Sequence, residues 1–187
     1  MNIELIESIA LAILALERVL LMVFNERKKY ASNLKRTTKA TAINSLLKQL
    51  SHDVGADHVL RFMFHNGGKM ATGESMDKVT ILEDIHSPAI SSISHLFQNV
   101  PFERVPILIS KLSTNASIEY QGGQAEDSVL TQVFGLTSIV HFYGISIVKR
   151  NKIVGFIAVS TDQMNKRITE ADKAKIADTV LAIKKLI

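Results

Sequence analysis

The chain has 187 residues, 47% apolar and 21% charged, which is enough to bury one core and carry an appendage, and too apolar for a disordered polyelectrolyte. It contains no cysteine, which excludes disulfides, thiolate nucleophiles and cysteine-ligated zinc. Its net charge of +4 is local: residues 25–39 hold Arg27, Lys28, Lys29, Lys35, Arg36 and Lys39 against the single acid Glu26, so the remainder is slightly acidic and no nucleic-acid-binding body is expected.

Asn2 to Phe24 has one helical pattern without proline or glycine, in which Ile6, Ile9, Ile13, Leu16, Leu20 and Val23 alternate spacings of three and four. The other side is apolar too, through Leu11, Leu14, Leu21 and Met22, so the helix is expected to be covered by something. Its apolar residues favour insertion into a bilayer by about 4–7 kcal/mol, and Arg18 opposes it by about 3 kcal/mol. The helix is therefore expected either at a membrane, with the basic run on the cytoplasmic side, or packed on copies of itself or another protein. Glu4 and Glu7 replace the basic region of a secretory signal, so secretion is not expected.

From Tyr30 the helix continues to about Gln49, with Ala40, Ile43, Leu46, Leu47 and Leu50 as its core-facing stripe, and Gly55 is the stop signal. The run from His58 to Phe64 reads as a strand, and His65-Asn66-Gly67-Gly68 as the tight turn ending it, because Asn and Gly tolerate positive φ. Val79 to Asp84 reads as the returning strand. Ala89 to Asn99 reads as a short amphipathic helix, Ile107 to Leu112 is open in type, and Ser117 to Tyr120 reads as a strand. A helix over Glu126 to Phe134 is expected to stop at Gly135. Thr137–Val148 and Ile153–Ser160 are the strongest strands, rich in β-branched and aromatic residues, with Lys149 to Lys152 as their hairpin loop. Thr169 followed by Glu170 and Asp172 opens a terminal helix, with Lys184 and Lys185 at its end.

A helix, a strand running into His65-Asn66-Gly67-Gly68-Lys69, then Thr72-Gly73 and a second strand ending in Glu83-Asp84, resembles a GAF-like domain of the microbial or phage type that follows an N-terminal hydrophobic helix. The resemblance implies an α+β fold of GAF/PAS type, an antiparallel sheet of about five strands flanked by helices and preceded by the long helix. The expected division is residues 1–39, hydrophobic helix and basic connector, and 40–187, the GAF-like domain. It further implies a non-enzymatic sensory or scaffolding module, anchored to a membrane or oligomer by the helix. The alternative is a structural component of a larger assembly such as a phage particle; an enzyme using His65 is the third reading.

The residue chemistry is consistent with a module. His65, with Glu83 or Asp84 orienting it, is the one acid–base candidate, and a turn-stabilising histidine explains the same pattern. His86 with His95, and His52 with His58, lack metal-ligand spacing, so neither metal nor cofactor is expected. GAF-like folds bind small molecules between the sheet and its covering elements, which implies Phe62, Phe64, His65, Lys69, Thr72, Tyr120, His141 and Tyr143 as candidate ligand contacts. Arg27, Lys28, Lys29, Lys35 and Arg36 are candidate contacts to lipid headgroups or a protein partner. The expected partners are a second copy or a larger assembly, and a membrane through residues 2–24.

Overall fold

The computed structural model describes residues 3–69, 75–164 and 166–187. The chain divides into two units, Met1–Ala42 and Ile43–Ile187. The first is helical and belongs to α1 (Ile3–Val54), and its described side chains from Glu17 to Thr41 are exposed. Ala40, expected in the core stripe, is exposed with them. Among the described residues no helix is long and apolar enough to cross a membrane.

The second unit is built on one antiparallel sheet. Its strands are β1 (His58–Lys69), β2 (Ser75–His86), β3 (Val100–Pro101), β4 (Ser117–Gln121), β5 (His141–Lys149) and β6 (Lys152–Thr161), ordered β3-β2-β1-β6-β5-β4. Five are the expected strands; the sixth, β3, is a two-residue edge strand laid beside Lys78 and Val79 of β2. The helices are the end of α1, α2 (Pro106–Asn115), α3 (Ser128–Thr137) and α4 (Glu170–Leu186).

Alternation along the strands gives the sheet two apolar faces, and each is covered. On one, Ile43, Leu47 and Leu50 of α1 and Ile176, Val180 and Ile183 of α4 pack on Val59, Ile157 and Val159. On the other, α2 and α3 bring Leu108, Leu112, Leu130, Val133 and Phe134 against Leu60, Phe62, Phe142 and Phe156. The result is a three-layer α+β sandwich, helices–sheet–helices.

Local chemistry sets most boundaries. Gly55, at φ 58°, ends α1 as expected. Thr169 caps α4 in a capping box with Asp172. Arg150 and Asn151 both take left-handed φ in the β5–β6 hairpin, the requirement of a two-residue type I′ turn. Pro106 occupies the first turn of α2, where a missing N–H costs nothing, and Asp127 supplies the cap from elsewhere. Its carboxylate accepts from Ile107 N (3.1 Å) and Leu108 N (2.7 Å).

Three expectations are corrected. Asn66 and Gly67 are not a turn: they lie inside β1, with Asn66 opposite Asp77. The strand continues because β2 offers it partners down to Lys69↔Ser75, so pairing overrides the local turn preference. Residues 89–99 form only a 3-10 turn, Ser94–Phe97, because the Asp84 carboxylate takes the Ile93 N–H and the Ser92 hydroxyl and pins the segment to β2. Gly135 does not stop α3, which runs to Thr137 and ends at Ser138 in the left-handed region.

Candidate functional site

Aromatic rings fill the space between the sheet and the α2/α3 layer. Phe62 stacks on Phe156 at 4.1 Å and meets Phe97 edge-on at 5.4 Å, while Tyr120, Phe134 and Phe142 form a second group beside them. Open space lies instead at the margin of this layer. A cleft of about 530 Å³ runs between the 89–96 connector and the end of α3, lined by Ser91, Ser92, His95, Leu96, Leu136, Thr137, Ser138 and Asp162 among others. A smaller one of about 350 Å³ adjoins it, sharing Leu96 and Leu136 and adding Gln98, Asn99, Arg104 and Gln132. Leu136, between the two, is 75% exposed.

The cleft has a polar foundation at the sheet's end. Asp84, its side chain 3% exposed, lies 3.0 Å from His58 Nδ1 and accepts from Ser92 Oγ (2.8 Å) and Ile93 N (2.7 Å). Burial opposes its charge, but the bonds from His58, Ser92 and Ile93 outweigh burial and hold its pKa below the usual carboxylate value. Asp57 accepts from Asp162 N at 2.9 Å. Burial again opposes ionisation of Asp57; hydrogen bonds from Thr161 and Asp162 and the charge of Lys166 prevail, so its pKa is lowered. The bond to Asp57, then burial, raises the pKa of Asp162, which holds its proton longer. His58, 1% exposed, stands between these acids; its Nε2 and the Oγ of its cross-strand neighbour Ser160 have no partner among the described residues.

The candidate residues read from sequence do not converge on one site, although Phe64 and His65 line a cavity of about 190 Å³ together. Phe62 and Tyr120 are buried on the α2/α3 face, and Phe64 packs beside them against Phe102 and Phe156. Tyr143 belongs to the opposite face, beneath the Lys173 ammonium at 5.1 Å from the ring centroid. His141, two residues earlier in β5, is buried with its Nε2 3.5 Å from Met164 O. His65 Nε2 is bonded to Thr80 Oγ1 at 2.9 Å, and the same oxygen accepts from Asn99 N. Neither acid proposed to orient His65 does so: Glu83 forks onto Arg61, at 2.7 Å for the Nη2 arm, and Asp84 takes His58. Lys69 closes β1, and Thr72 lies outside the described residues. Arg27, Lys28, Lys29, Lys35 and Arg36 are exposed on α1.

Sequence reading missed Asp57, Ser92 and Asp162, and gave His58 and Asp84 other partners. The available signal was register: His58 pairs with His86 and Leu60 with Asp84, which puts Asp84 diagonal to His58. Among the described residues no three His, Cys, Asp or Glu side chains are arranged to hold a metal ion.

No protein-family profile matches the chain, and no curated protein is similar to it in sequence. Solved structures are similar in fold. The GAF domain/HD domain protein from Geobacter sulfurreducens superposes with a TM-score of 0.58 at 17% identity, over 77% of this chain and 88% of that one. The photoproduct state of GAF3 from Slr1393 of Synechocystis gives 0.59 at 9% identity, over 78% and 90%. The chromophore-binding domain of phytochrome P1 from Stigmatella aurantiaca gives 0.56 at 9%, over 76% of this chain and 52% of that one. At these identities the likeness is one of fold, and the fold is GAF-like.

Proposed function

We propose that this chain is a non-enzymatic sensory module of GAF-like fold, in which the cleft beside α3 takes a small molecule and the N-terminal helix attaches the module to a membrane or an oligomer. The observation that carries the reading is the cleft itself. Its volume of about 530 Å³ lies within the range of small-molecule sites. Ser91, Ser92, Ser138 and Asp162 offer polar contacts, and Leu96 and Leu136 an apolar wall, which suits a ligand with hydrogen-bond donors on an apolar body. One wall, Ser92–Ile93, is tied through Asp84 to His58 at the start of β1, so an occupant that shifts the wall acts on the sheet.

The fold neighbours include a photoreceptor GAF domain and a chromophore-binding domain, which supports a sensory role. A non-enzymatic reading is supported by the engagement of Asp84 and His58: both Asp84 oxygens are bonded, and His58 is buried. The test is thermal unfolding of the full chain with nucleotides, amino acids and tetrapyrroles. A ligand a thousandfold above its dissociation constant adds about 4 kcal/mol of stability. Leu136→Arg, at an exposed position, should cancel that gain without unfolding the chain. Silence from every compound would remove the ligand and leave a scaffold.

A further inference from the structure

The exposed apolar residues of α1 are arranged in a way that selects their partner. Leu20, Leu21, Met22, Val23 and Phe24 are 60, 62, 68, 46 and 67% exposed. At about 100° per residue, five in succession pass all the way round a helix, so this surface is a collar and not a stripe. A second helix covers a stripe of roughly 100°. It would take Leu20, Val23 and Phe24, which span about 100°, and leave Leu21 and Met22 in water. Only a medium that surrounds the helix removes the whole collar from water, and hydrocarbon is such a medium.

The residues that follow give the medium its charge. Arg27, Lys28 and Lys29 lie about 4–8 Å beyond Phe24 along the axis, and Tyr30 in the same turn is 72% exposed, as suits an aromatic at a membrane interface. Glu26 is the only acid from Asn25 to Lys39. A second copy would set one basic run beside another. A nucleic acid would use the cations and leave the collar in water. An anionic bilayer meets both features in their order along the chain.

We propose that residues 20–30 dock on an anionic lipid bilayer, with the Leu20–Phe24 collar in the hydrocarbon and Arg27, Lys28 and Lys29 among the headgroups. The proposal rests on the reading that the N-terminal helix is the attachment element, and it names the partner. Lys35, Arg36 and Lys39 lie about 16–22 Å beyond Phe24, more than a Debye length of about 8 Å past the headgroup cations, and contribute little.

The test is flotation of the full chain with vesicles of phosphatidylcholine alone or with about one-third phosphatidylserine. Three headgroup cations, each worth a factor of about five, should give roughly 10²-fold tighter binding to the anionic vesicles. Leu21→Glu with Phe24→Glu should abolish flotation on both. Lys28→Glu with Lys29→Glu should erase the preference for phosphatidylserine, and Lys35→Glu with Arg36→Glu should leave it within about threefold of the starting protein. All six positions are exposed, so circular dichroism and the thermal midpoint should not change. A chain that stays at the bottom of the gradient, or a Leu21→Glu/Phe24→Glu chain that floats unaltered, overturns the proposal; equal binding to both vesicle types overturns its headgroup half. A chain that ignores lipid while forming a discrete oligomer overturns it in favour of protein packing, and leaves the sensory reading to the ligand screen.

Discussion

The rings of Phe62 and Phe156 lie face to face in neighbouring strands, 4.1 Å apart with planes 7° from parallel. They are cross-strand partners on the α2/α3 face, and both are buried. Each fills space that a ligand would otherwise need. Phe156→Ala should therefore cost about 3–5 kcal/mol in denaturant unfolding, by lost burial plus a residual cavity. A loss below about 1 kcal/mol would mean that this layer is loosely packed and the interior is not filled as described.

The stack has close quarters beside it. A Cβ on Gly155 would lie 2.1 Å from the Phe62 carbonyl oxygen, which is backbone and has nowhere to go. Gly155→Ala should open the β1–β6 pairing and cost about 3 kcal/mol or more. Gly135 is the opposite case, a helical glycine whose Cβ would meet nothing. Gly135→Ala should raise stability by about 0.5–1 kcal/mol, and equal effects at the two sites would refute the distinction.

Tyr120 is buried with its hydroxyl unpaired among the described residues, and the Lys111 ammonium sits over its ring at 5.2 Å. Burial first, then the charges of Glu126 and Asp127, raise the phenol pKa far above the ordinary value. A raised folded-state pKa is a contribution present at neutral pH and lost as pH climbs past 10 towards the folded value. Tyr120→Phe should leave neutral stability unchanged or raise it by about 1 kcal/mol, since an unpaired buried hydroxyl is removed. It should also soften unfolding above pH 10. A clear loss at neutral pH would show that the hydroxyl is bonded.

What was legible in the sequence is what local chemistry decides. The β6 run, the glycine stop after α1 and the N-cap at Thr169 formed as read, and the hairpin lies within the expected loop at Arg150–Asn151; β5 formed from His141, four residues later than expected, because Thr137 ends α3. What was not legible depends on register and on long-range partners. Asn66-Gly67 is a strong turn signal, yet Asn66 is held opposite Asp77. Tyr120 pairs with Phe142, so alternation sends Tyr143 to the other face, and the aromatic set proposed as a pocket is divided by the sheet. The cleft was invisible for a different reason. Its connector, Ala89 to Leu96, has no strand periodicity, and a carboxylate in β2 holds it in place.

That carboxylate, Asp84, gives the sharpest test of the site. It couples His58 at the head of β1 to Ser92 and Ile93 in the cleft wall, and its side chain is 3% exposed. Asp84→Asn keeps an acceptor but removes the charge that His58 faces, so about 3 kcal/mol should be lost at neutral pH. The pH dependence carries the sign. The folded-state pKa lies below the unfolded 3.8, so the unfolded chain binds the proton first as pH falls. The contribution of Asp84 is thus fully present above about pH 5, and is lost as pH drops through 3.8 towards the folded value. Denaturant midpoints from pH 6 to pH 2 should converge for the starting chain and Asp84→Asn, because acid removes the same charge that the substitution removes. Amide exchange at Ile93 should quicken in the variant, since its N–H then faces a weaker acceptor. Parallel pH profiles, or unchanged exchange at Ile93, would mean that the wall of the cleft is held by something other than Asp84.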